Sequence, residues 1–460
     1  MPMVAEAPDV TRTIHLPLAL CASFGIGSFG ISILLNTVTV FFPALMTTVL
    51  GQSAAIAGIM LMVSKLYDVM ADVGIGLLSD RTRTRIGRRR PYLLAGMVVS
   101  ALSMVMLFMP PSLGHTGLIV WMMLALIGYS TGYSLFSVPY MAMAGEMTDG
   151  YHERTRLLSF RAFFIALGQI ASSAGTAGII AYMGGGSMGY ALMGIAAGAA
   201  TSVTMLICFF GTRTARMADA VVTHRFSKRE LLTTLLSNRP FVLLMSIKLS
   251  QYVAVALVST TKLLFLLNVL HVGYVGLINL SFVQNVFGAL TVPLWAGVAR
   301  RIGKRNAYLA ATMLLALLYA SWSFTSVGIT MPELWLRGAI NGVAAAGVTL
   351  LSISMLPDVM EYDRLRTGLR REGIFSSVYT IVEKLGYALG AGIIGIFLSW
   401  AGYIPTLHGA IVRQPVTAVH ALYLGASFIP AGLILISFTL MLFYALDERV
   451  LERMRQRVSL

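Results

Sequence analysis

Three charged side chains interrupt an apolar stretch of the sequence. Lys65, Asp68 and Asp72 lie within residues 54–79, a stretch otherwise typical of a membrane-spanning helix. On a helix, their i, i+3 and i+7 spacing places them on one face. An ionisable group at membrane depth is costly unless it is paired or lines a watered cavity, so it marks an ion or substrate pathway. Two carboxylates one turn apart beside a basic group therefore predict a cation-binding site.

The composition predicts an all-α membrane protein. Of the 460 residues, 57% are hydrophobic and only 12% are charged, and the mean hydropathy is +0.79. Twelve apolar segments are long enough to cross a hydrocarbon core of about 30 Å, and their continuous apolar character favours helices over a β-barrel. The predicted spans are residues 16–40, 54–79, 91–110, 117–144, 156–183, 187–211, 240–267, 272–299, 305–325, 331–357, 373–401 and 417–445.

The distribution of basic residues predicts the topology. Most Lys and Arg residues fall in the two termini and the even-numbered connections, whereas the odd-numbered connections hold essentially Arg413 alone. By the positive-inside rule, both termini are cytoplasmic in a multi-pass protein of the cytoplasmic (inner) membrane. The net charge of +15 is therefore a topology signal and not a sign of a nucleic-acid partner. Contact with anionic membrane lipids is an expected secondary effect.

A short loop motif occurs twice at equivalent places. GLLSDR at 76–81 and GRRRPY at 87–92 follow the second span, and GVARR at 297–301 and GKRNAY at 303–308 follow the eighth. The repeat predicts two pseudo-symmetric six-helix halves, residues 1–211 and 240–446, with a linker at 212–239 and a tail at 447–460. This arrangement resembles the major facilitator superfamily, in which substrate binds near the midplane between two rocking halves.

Further motifs narrow the resemblance to one family. They are VPY at 138–140, EMTDGYHERTRL at 146–157, PDVMEY at 357–362 and YTIVEKLGYALG at 379–390. With the Asp68/Asp72 helix, these motifs resemble the glycoside–pentoside–hexuronide:cation symporter family over roughly residues 24–403. The resemblance implies a secondary transporter that couples Na⁺, Li⁺ or H⁺ to uptake of a sugar or glycoside. A related animal branch carries lysophospholipids with Na⁺.

The resemblance assigns the cation site residue by residue. Asp68 and Asp72 match the family's cation-site carboxylates, and these two residues would hold Na⁺ if that ion is used. Lys384 matches a lysine near the site, and Ser134 could donate a further oxygen. Ala71 stands where an amide side chain contributes in Na⁺-using relatives, so the sequence favours H⁺, for which a buried carboxylate suffices. Either ion remains open, and no other cofactor is expected.

The substrate site departs from the pattern of melibiose-type members. Their first-span acidic residue aligns with Ser32, their fourth-span acidic residue with Ser137, and a sugar-stacking tryptophan with Met141. Paired carboxylates are natural acceptors for sugar hydroxyls, so their loss argues against a galactoside. The remaining charges would be basic and would favour an anionic solute. The predicted substrate-binding residues are Ser32, Ser137, Tyr140, Met141, Arg161, Tyr379 and Lys384.

Two of these basic residues have an alternative interpretation. Arg161 matches a sugar-binding arginine of the family, but it could instead bind a lipid phosphate near the cytoplasmic end of its helix. Lys384 could be a structural counter-ion of Asp68 and Asp72, because it lies about 18 Å into its helix and too deep for easy snorkelling.

Charged residues at the cytoplasmic helix ends predict a gate. Asp80, Arg81 and Arg88 belong to the loop motif after the second span, and Glu361 and Arg371 to the mixed acidic and basic residues at the ends of spans ten and eleven. We expect salt bridges between helices that lock one conformation, with a solvated loop as the alternative.

Other function classes fit the sequence less well. It has no phosphate-cradling Gly-Lys-Ser/Thr loop and no metal-ligand spacing of histidines, which disfavours a pump or an enzyme. A lysolipid carrier of the same fold and a non-transporting membrane sensor remain as alternatives. A monomer that binds a small-molecule substrate is expected.

Overall fold

The computed structural model describes residues 16–148, 151–215, 235, 237–369, 371–410 and 412–458. Twelve helices in this part of the chain are long and apolar enough to cross a membrane, which confirms the predicted all-α fold and number of spans. In chain order they are α1 (Leu18–Val49), α2 (Ala54–Arg81), α3 (Arg90–Phe108), α4 (His115–Glu146), α5 (Glu153–Tyr182), α6 (Gly186–Gly211), α7 (Arg239–Asn268), α8 (Gly273–Ile302), α9 (Lys304–Phe324), α10 (Met331–Thr367), α11 (Gly373–Trp400) and α12 (Val416–Leu442). A further helix, α13 (Glu448–Val458), follows them.

Local side-chain chemistry fixes several helix ends. The Ser53 hydroxyl accepts a hydrogen bond from the Ile56 backbone at the start of α2, and Asn238 caps Phe241 in the same way at the start of α7. These bonds satisfy donors that the first helical turn leaves without a partner. A glycine ends α10: Gly368 follows its last residue and has a φ of +72°, a left-handed conformation that favours glycine. The helix ends at Thr367, ten residues after the predicted apolar span of 331–357, and these additional turns are polar.

Helix packing repeats between the first six and the last six spans. In the first set, α1 packs on α5 and α6, α3 packs on α4 and α6, and α2 packs on α4. The same pairs recur six helices later, with α7 on α11 and α12, α9 on α10 and α12, and α8 on α10. This repetition agrees with two six-helix halves, α1–α6 (the N-terminal half) and α7–α12 (the C-terminal half). The linker predicted at 212–239 lies largely outside the described residues, so the boundaries of the halves stay a prediction.

The halves are joined by main-chain hydrogen bonds at one end of the bundle. We call the end with the connections after α2, α4, α6, α8 and α10 the basic end, and the other the opposite end. At the opposite end, the Thr406 amide donates to the Thr47 carbonyl at 2.7 Å and the His408 amide donates to the Val49 carbonyl at 2.9 Å. These bonds connect the α1–α2 connection to the α11–α12 connection, and so hold the halves together there.

Two glycines allow α2 to pack closely on α11 near the opposite end. A Cβ atom added at Gly58 would lie 2.5 Å from the Ala391 carbonyl oxygen, and one added at Gly395 would lie 2.5 Å from the Ala54 carbonyl oxygen. Side chains cannot be accommodated at such distances without a shift of backbone, so small residues set the spacing of the two helices. Since α2 and α11 belong to different halves, this contact also helps to close the opposite end.

A larger residue at Gly58 should therefore open the opposite end. Overpacking costs about 1–3 kcal/mol, and a penalty confined to the closed state would raise the open population about fivefold or more. We expect Gly58→Leu to increase maleimide labelling of a cysteine introduced at Thr406 by that factor; the native Cys21 and Cys208 are buried. Gly74→Leu on the same helix is the matched control, because an added Cβ there meets no atom within 4 Å. Equal labelling in both variants would contradict this role of Gly58.

Candidate cation and substrate sites

Helices α2 and α4 bring three oxygen-bearing side chains together inside the N-terminal half. Asp68 and Asp72 lie one turn apart on α2, as predicted, and Ser134 faces them from α4. The Ser134 hydroxyl donates to Asp72 Oδ1 at 2.6 Å and lies 3.2 Å from Asp68 Oδ1. Asp68 is almost fully buried, whereas 21% of the Asp72 side chain remains exposed. Asp72 is therefore the member of the pair that solvent can reach in this conformation.

Two lysines balance these carboxylates. Lys384 crosses from α11 of the C-terminal half, and its ammonium lies 2.5 Å from Asp72 Oδ2 and 3.2 Å from Asp68 Oδ2. Lys65 lies one turn before Asp68 on α2, 3.7 Å from Asp68 Oδ2. The cluster thus holds two positive and two negative groups, and Lys384 makes it an ion pair between the two halves. The sequence predicted Lys65 on the same face as the two carboxylates, and the structure pairs it with Asp68.

Aromatic rings of α4 surround the two ammonium groups. The Lys65 ammonium lies 5.2 Å from the Tyr129 ring centroid, and the Lys384 ammonium lies 5.3 Å from that of Tyr133. Ring faces attract cations, and this attraction strengthens where water is excluded. The two rings recur at i and i+4 on α4, beside Ser134. Neither tyrosine was among the residues predicted for the site.

The arrangement can exchange one cation for another. Asp68 and Asp72 supply four carboxylate oxygens, Ser134 adds a hydroxyl, and hard cations prefer such oxygen ligands. The Lys384 ammonium occupies the place between the carboxylates, so an incoming Na⁺ would have to displace it. A proton would instead neutralise one carboxylate and weaken its hold on Lys384. In both cases, occupancy of the site changes the bond between the halves.

The predicted substrate residues of the N-terminal half are spread over α1, α4 and α5. Ser32 and Ser137 are buried, with 6% and 7% of their surface exposed, whereas Met141 is 44% exposed. Arg161 is half-buried, and its Nε atom is buried without a hydrogen-bond partner among the described residues. An unpaired buried donor is costly, so Arg161 is suited to bind an anionic or hydroxyl-bearing group.

Tyr140, one of the predicted substrate residues, packs between α1 and α4 in this conformation. It is fully buried, its hydroxyl donates to the Phe24 carbonyl at 2.8 Å, and Ser28 Oγ lies 2.7 Å from that hydroxyl. Its ring stacks on Phe24 with centroids 4.3 Å apart. A phenol with satisfied hydrogen bonds and a packed ring stabilises the contact between α1 and α4, and no surface of it faces a solute in this conformation.

Tyr379 belongs to a second polar cluster in the C-terminal half. Its hydroxyl lies 3.2 Å from that of Tyr252 on α7. The fully buried Lys248 lies beside them, with its ammonium 4.4 Å from the Tyr252 ring centroid and 2.8 Å from Ser352 Oγ on α10. Glu383, the chain neighbour of Lys384, interacts electrostatically with Lys248. These two adjacent residues of α11 therefore interact with different clusters. Lys384 reaches the carboxylates of the N-terminal half, whereas Glu383 interacts with the cluster of its own half.

The predicted gate residues of the N-terminal half pair within that half. Arg88 contacts Glu146 at 2.6 Å, and Arg89 lies 2.6 Å from Glu146 and 3.0 Å from Asp80. Arg81 is exposed at the end of α2. Arg89 was not among the predicted gate residues, yet it joins α2 to α4 through these contacts.

The gate residues of the C-terminal half show the same pattern. Arg455 of α13 holds Glu361 of α10 through two contacts of 2.8 Å, and Arg364 lies 3.8 Å from Glu361. Arg371 interacts with Asp363, also within this half. These pairs do not cross between the halves, and a gate that closes the basic end across the halves stays a prediction.

Comparison with known proteins agrees with this architecture. The sequence profile of the family described as MFS/sugar transport protein matches residues 23–448. The isoprimeverose transporter of Lactiplantibacillus pentosus is 27% identical over 96% of this chain and 93% of its own. The glucuronide carrier protein homolog of Escherichia coli K12 is 28% identical over 89% and 88%. A crystal structure of the nucleoside transporter NupG superposes with a TM-score of 0.66 at 12% identity, over 93% of this chain and all of that chain, and shares the fold.

The ion pair between Lys384 and Asp72 should behave as one unit. Removal of one partner of a buried pair leaves a charge uncompensated; because Asp72 is partly exposed, we expect Lys384→Met to cost about 2–3 kcal/mol in the free energy of unfolding. The double variant Lys384→Met/Asp72→Asn should recover most of that loss in detergent unfolding experiments. The half-exposed pair Glu333–Arg337, 2.9 Å apart, is the control, with an expected coupling of about 0.3–0.5 kcal/mol. Additive effects at Lys384 and Asp72 would disprove the coupling.

Proposed function

Because the chain belongs to the family of MFS/sugar transport proteins, we propose that it is a cation-coupled symporter of a glycoside-like or anionic small solute. One observation carries the coupling: Lys384 of the C-terminal half is bound by Asp68 and Asp72 of the N-terminal half. A cation at these carboxylates therefore competes with the bond that joins the halves. In this way the binding of a small ion acts on the movement that carries the solute.

The coupling follows from reciprocal linkage. If a cation at Asp68 and Asp72 releases Lys384, the ammonium becomes free to interact with a bound solute, and cation binding then strengthens solute binding. By thermodynamic necessity, the solute strengthens cation binding to the same extent. Because the cluster of two lysines and two carboxylates is neutral, an added cation leaves one positive charge in excess. An anionic solute would offset this charge and so lower the cost of closing the halves over the loaded site.

The chemistry of the donors leaves two candidate ions. H⁺ requires only one carboxylate, and the partial exposure of Asp72 gives a proton access to it. Na⁺ would need several oxygens, of which the Asp68 and Asp72 carboxylates and the Ser134 hydroxyl are in place. We favour H⁺, because Ala71 adds no oxygen to this set.

Excess positive charge in the middle of the bundle favours an anionic solute. The buried Nε atom of Arg161 has no hydrogen-bond partner among the residues that the structure describes, and buried charges are stabilised by a counter-ion. Relatives named for a glucuronide and for isoprimeverose support a glycoside-like solute. The basic side chains concerned are Lys65, Lys248, Lys262, Lys384 and Arg161, and the acidic ones are Asp68, Asp72 and Glu383.

The remaining features of the proposal concern the membrane. We propose that the basic end faces the cytoplasm of an inner-membrane protein, with both termini on that side. In the present conformation the opposite end is then closed towards the outside. The carrier would work as a monomer, and the arginines of its basic end would contact anionic lipids.

Transport into proteoliposomes tests the proposal. We expect uptake of radiolabelled methyl β-glucuronide to exceed equilibrium when either a pH gradient or a Na⁺ gradient is imposed, and the effective gradient identifies the ion. Asp68→Asn should abolish this accumulation, because its carboxylate is lost, while exchange of solute without a gradient persists. Glu333→Gln is the matched acid-to-amide control and should accumulate solute as the wild type does.

Three results would contradict this function. Accumulation against a gradient by Asp68→Asn would remove the coupling mechanism. If a lysolipid is transported but neither methyl β-glucuronide nor isoprimeverose is, the protein is a carrier of amphiphiles and not of glycosides. Absence of flux of all three would favour a membrane sensor.

A further inference from the structure

Lys262 is a membrane-embedded lysine to which the coupling mechanism gives no role. It lies on α7, six residues before the helix ends at Asn268, or about 9 Å along the axis. Its ammonium donates to Ser281 Oγ and to Gln284 Oε1 of α8, both at 3.1 Å. The side chain thus points into the C-terminal half, although the nearby end of the helix offers a route to the membrane surface.

Lys262 differs from the other three intramembrane lysines in its partners. Lys65 and Lys384 contact carboxylates. Lys248, like Lys262, donates its hydrogen bonds to neutral acceptors, but it also interacts electrostatically with Glu383, whereas Lys262 has no such interaction with a described residue. No carboxylate of the described residues lies within 4 Å of Lys262, whose two hydrogen-bond acceptors are neutral. An ammonium has three donors, so one remains for a further partner. A counter-ion is the partner that best offsets the cost of a charge at this depth.

The structure provides a space for such a partner. A cavity of about 30 Å³ lies beside Lys262 and is bounded by Phe265, Trp322 and Asn341, among others. The Asn341 side chain makes no hydrogen bond to any described residue, so its amide N–H is available to a ligand in the cavity. The wall therefore combines one ammonium donor and one amide donor with apolar and aromatic surfaces, and no acidic group of the described residues lines it.

We propose that Lys262 and Asn341 form a binding site for a small monovalent anion. The Lys262 ammonium would attract the anion by its charge, and the Asn341 amide N–H would donate a second hydrogen bond to the same anion. About 10–15 Å³ of such a cavity accommodates one water molecule, so the space fits a halide-sized ion but not a sugar acid. In this conformation the site would hold a free anion. If the halves move and the cavity opens, the anionic group of a solute could bind there instead.

The site is independent of the Asp68/Asp72 cluster and of the identity of the transported solute. It would also reduce the positive excess of the C-terminal half, where Glu383 interacts with Lys248 but not with Lys262. Chloride is the probe that fits the cavity, and isethionate is a monovalent anion too large for it.

Thermal unfolding of the purified protein in detergent tests the site. When chloride replaces isethionate at constant ionic strength, we expect the Tm of the wild type to rise and saturate, by about 1–2 °C at ten times the Kd. Lys262→Met removes the ammonium but keeps a chain of similar length, and should abolish the rise. Arg413→Met is the matched control, since it removes one positive charge from an exposed connection and should keep the full response.

Two further variants show whether a lost response could come from misfolding, and a competition experiment identifies the source of the anion. Asn341→Leu should weaken the chloride response, and Lys262→Arg should retain part of it. If methyl β-glucuronide at fixed ionic strength reduces the chloride response of the wild type, the solute's carboxylate uses the same site; if both responses add, the site serves a free anion. A wild type without any chloride response, or an unchanged response in Lys262→Met, would overturn the proposal whether or not the protein transports a glycoside.

Discussion

The bond between Lys384 and the two carboxylates of α2 is the interaction on which the rest of the structure depends. It joins the two halves near the middle of the membrane, where an unpaired charge of either sign would be destabilising. Lys384 lies 2.5 Å from Asp72 and 3.2 Å from Asp68, which leaves little room for a further cation. In this conformation the Lys384 ammonium therefore occupies the proposed cation site. On this proposal, a coupling ion acts directly on the contact between the halves.

The halves meet in different ways along the bundle. In the middle they share the ion pair of Lys384 with Asp68 and Asp72, on which we propose that the coupling ion acts. At the opposite end they share main-chain hydrogen bonds between the connections that contain Thr47 and Thr406, supported by the close packing of Gly58 on Gly395. At the basic end the ion pairs do not cross between the halves: Arg88 pairs with Glu146 on one side, and Glu361 pairs with Arg455 on the other. This gradation favours a motion in which the basic end moves most while the middle responds to ions.

The sequence predicted the parts of the site that depend on helical periodicity. Asp68 and Asp72 share a face because they are four residues apart, and Ser134 was offered from its place one turn before Ser137. The resemblance to a symporter family supplied Lys384. Tyr140 could not be placed, because α4 is apolar on all sides and nothing in its pattern shows which face meets α1. The closure at the opposite end was also beyond prediction, since it uses backbone amides that every sequence possesses. The role of Lys262 depends on partners in α8 and α10 that lie close only in the folded chain.

Infrared difference spectroscopy of the carboxylates tests the central claim most directly. Spectra of the protein reconstituted in lipid would be recorded while Na⁺ is added at constant ionic strength, or while the pH is lowered. The account predicts a change in carboxylate bands on addition of the coupling ion, with a new protonated carboxyl band if that ion is H⁺, and loss of the change in Asp72→Asn. A spectrum in which neither ion perturbs a carboxylate, or in which Asp72→Asn responds as the wild type does, would contradict it.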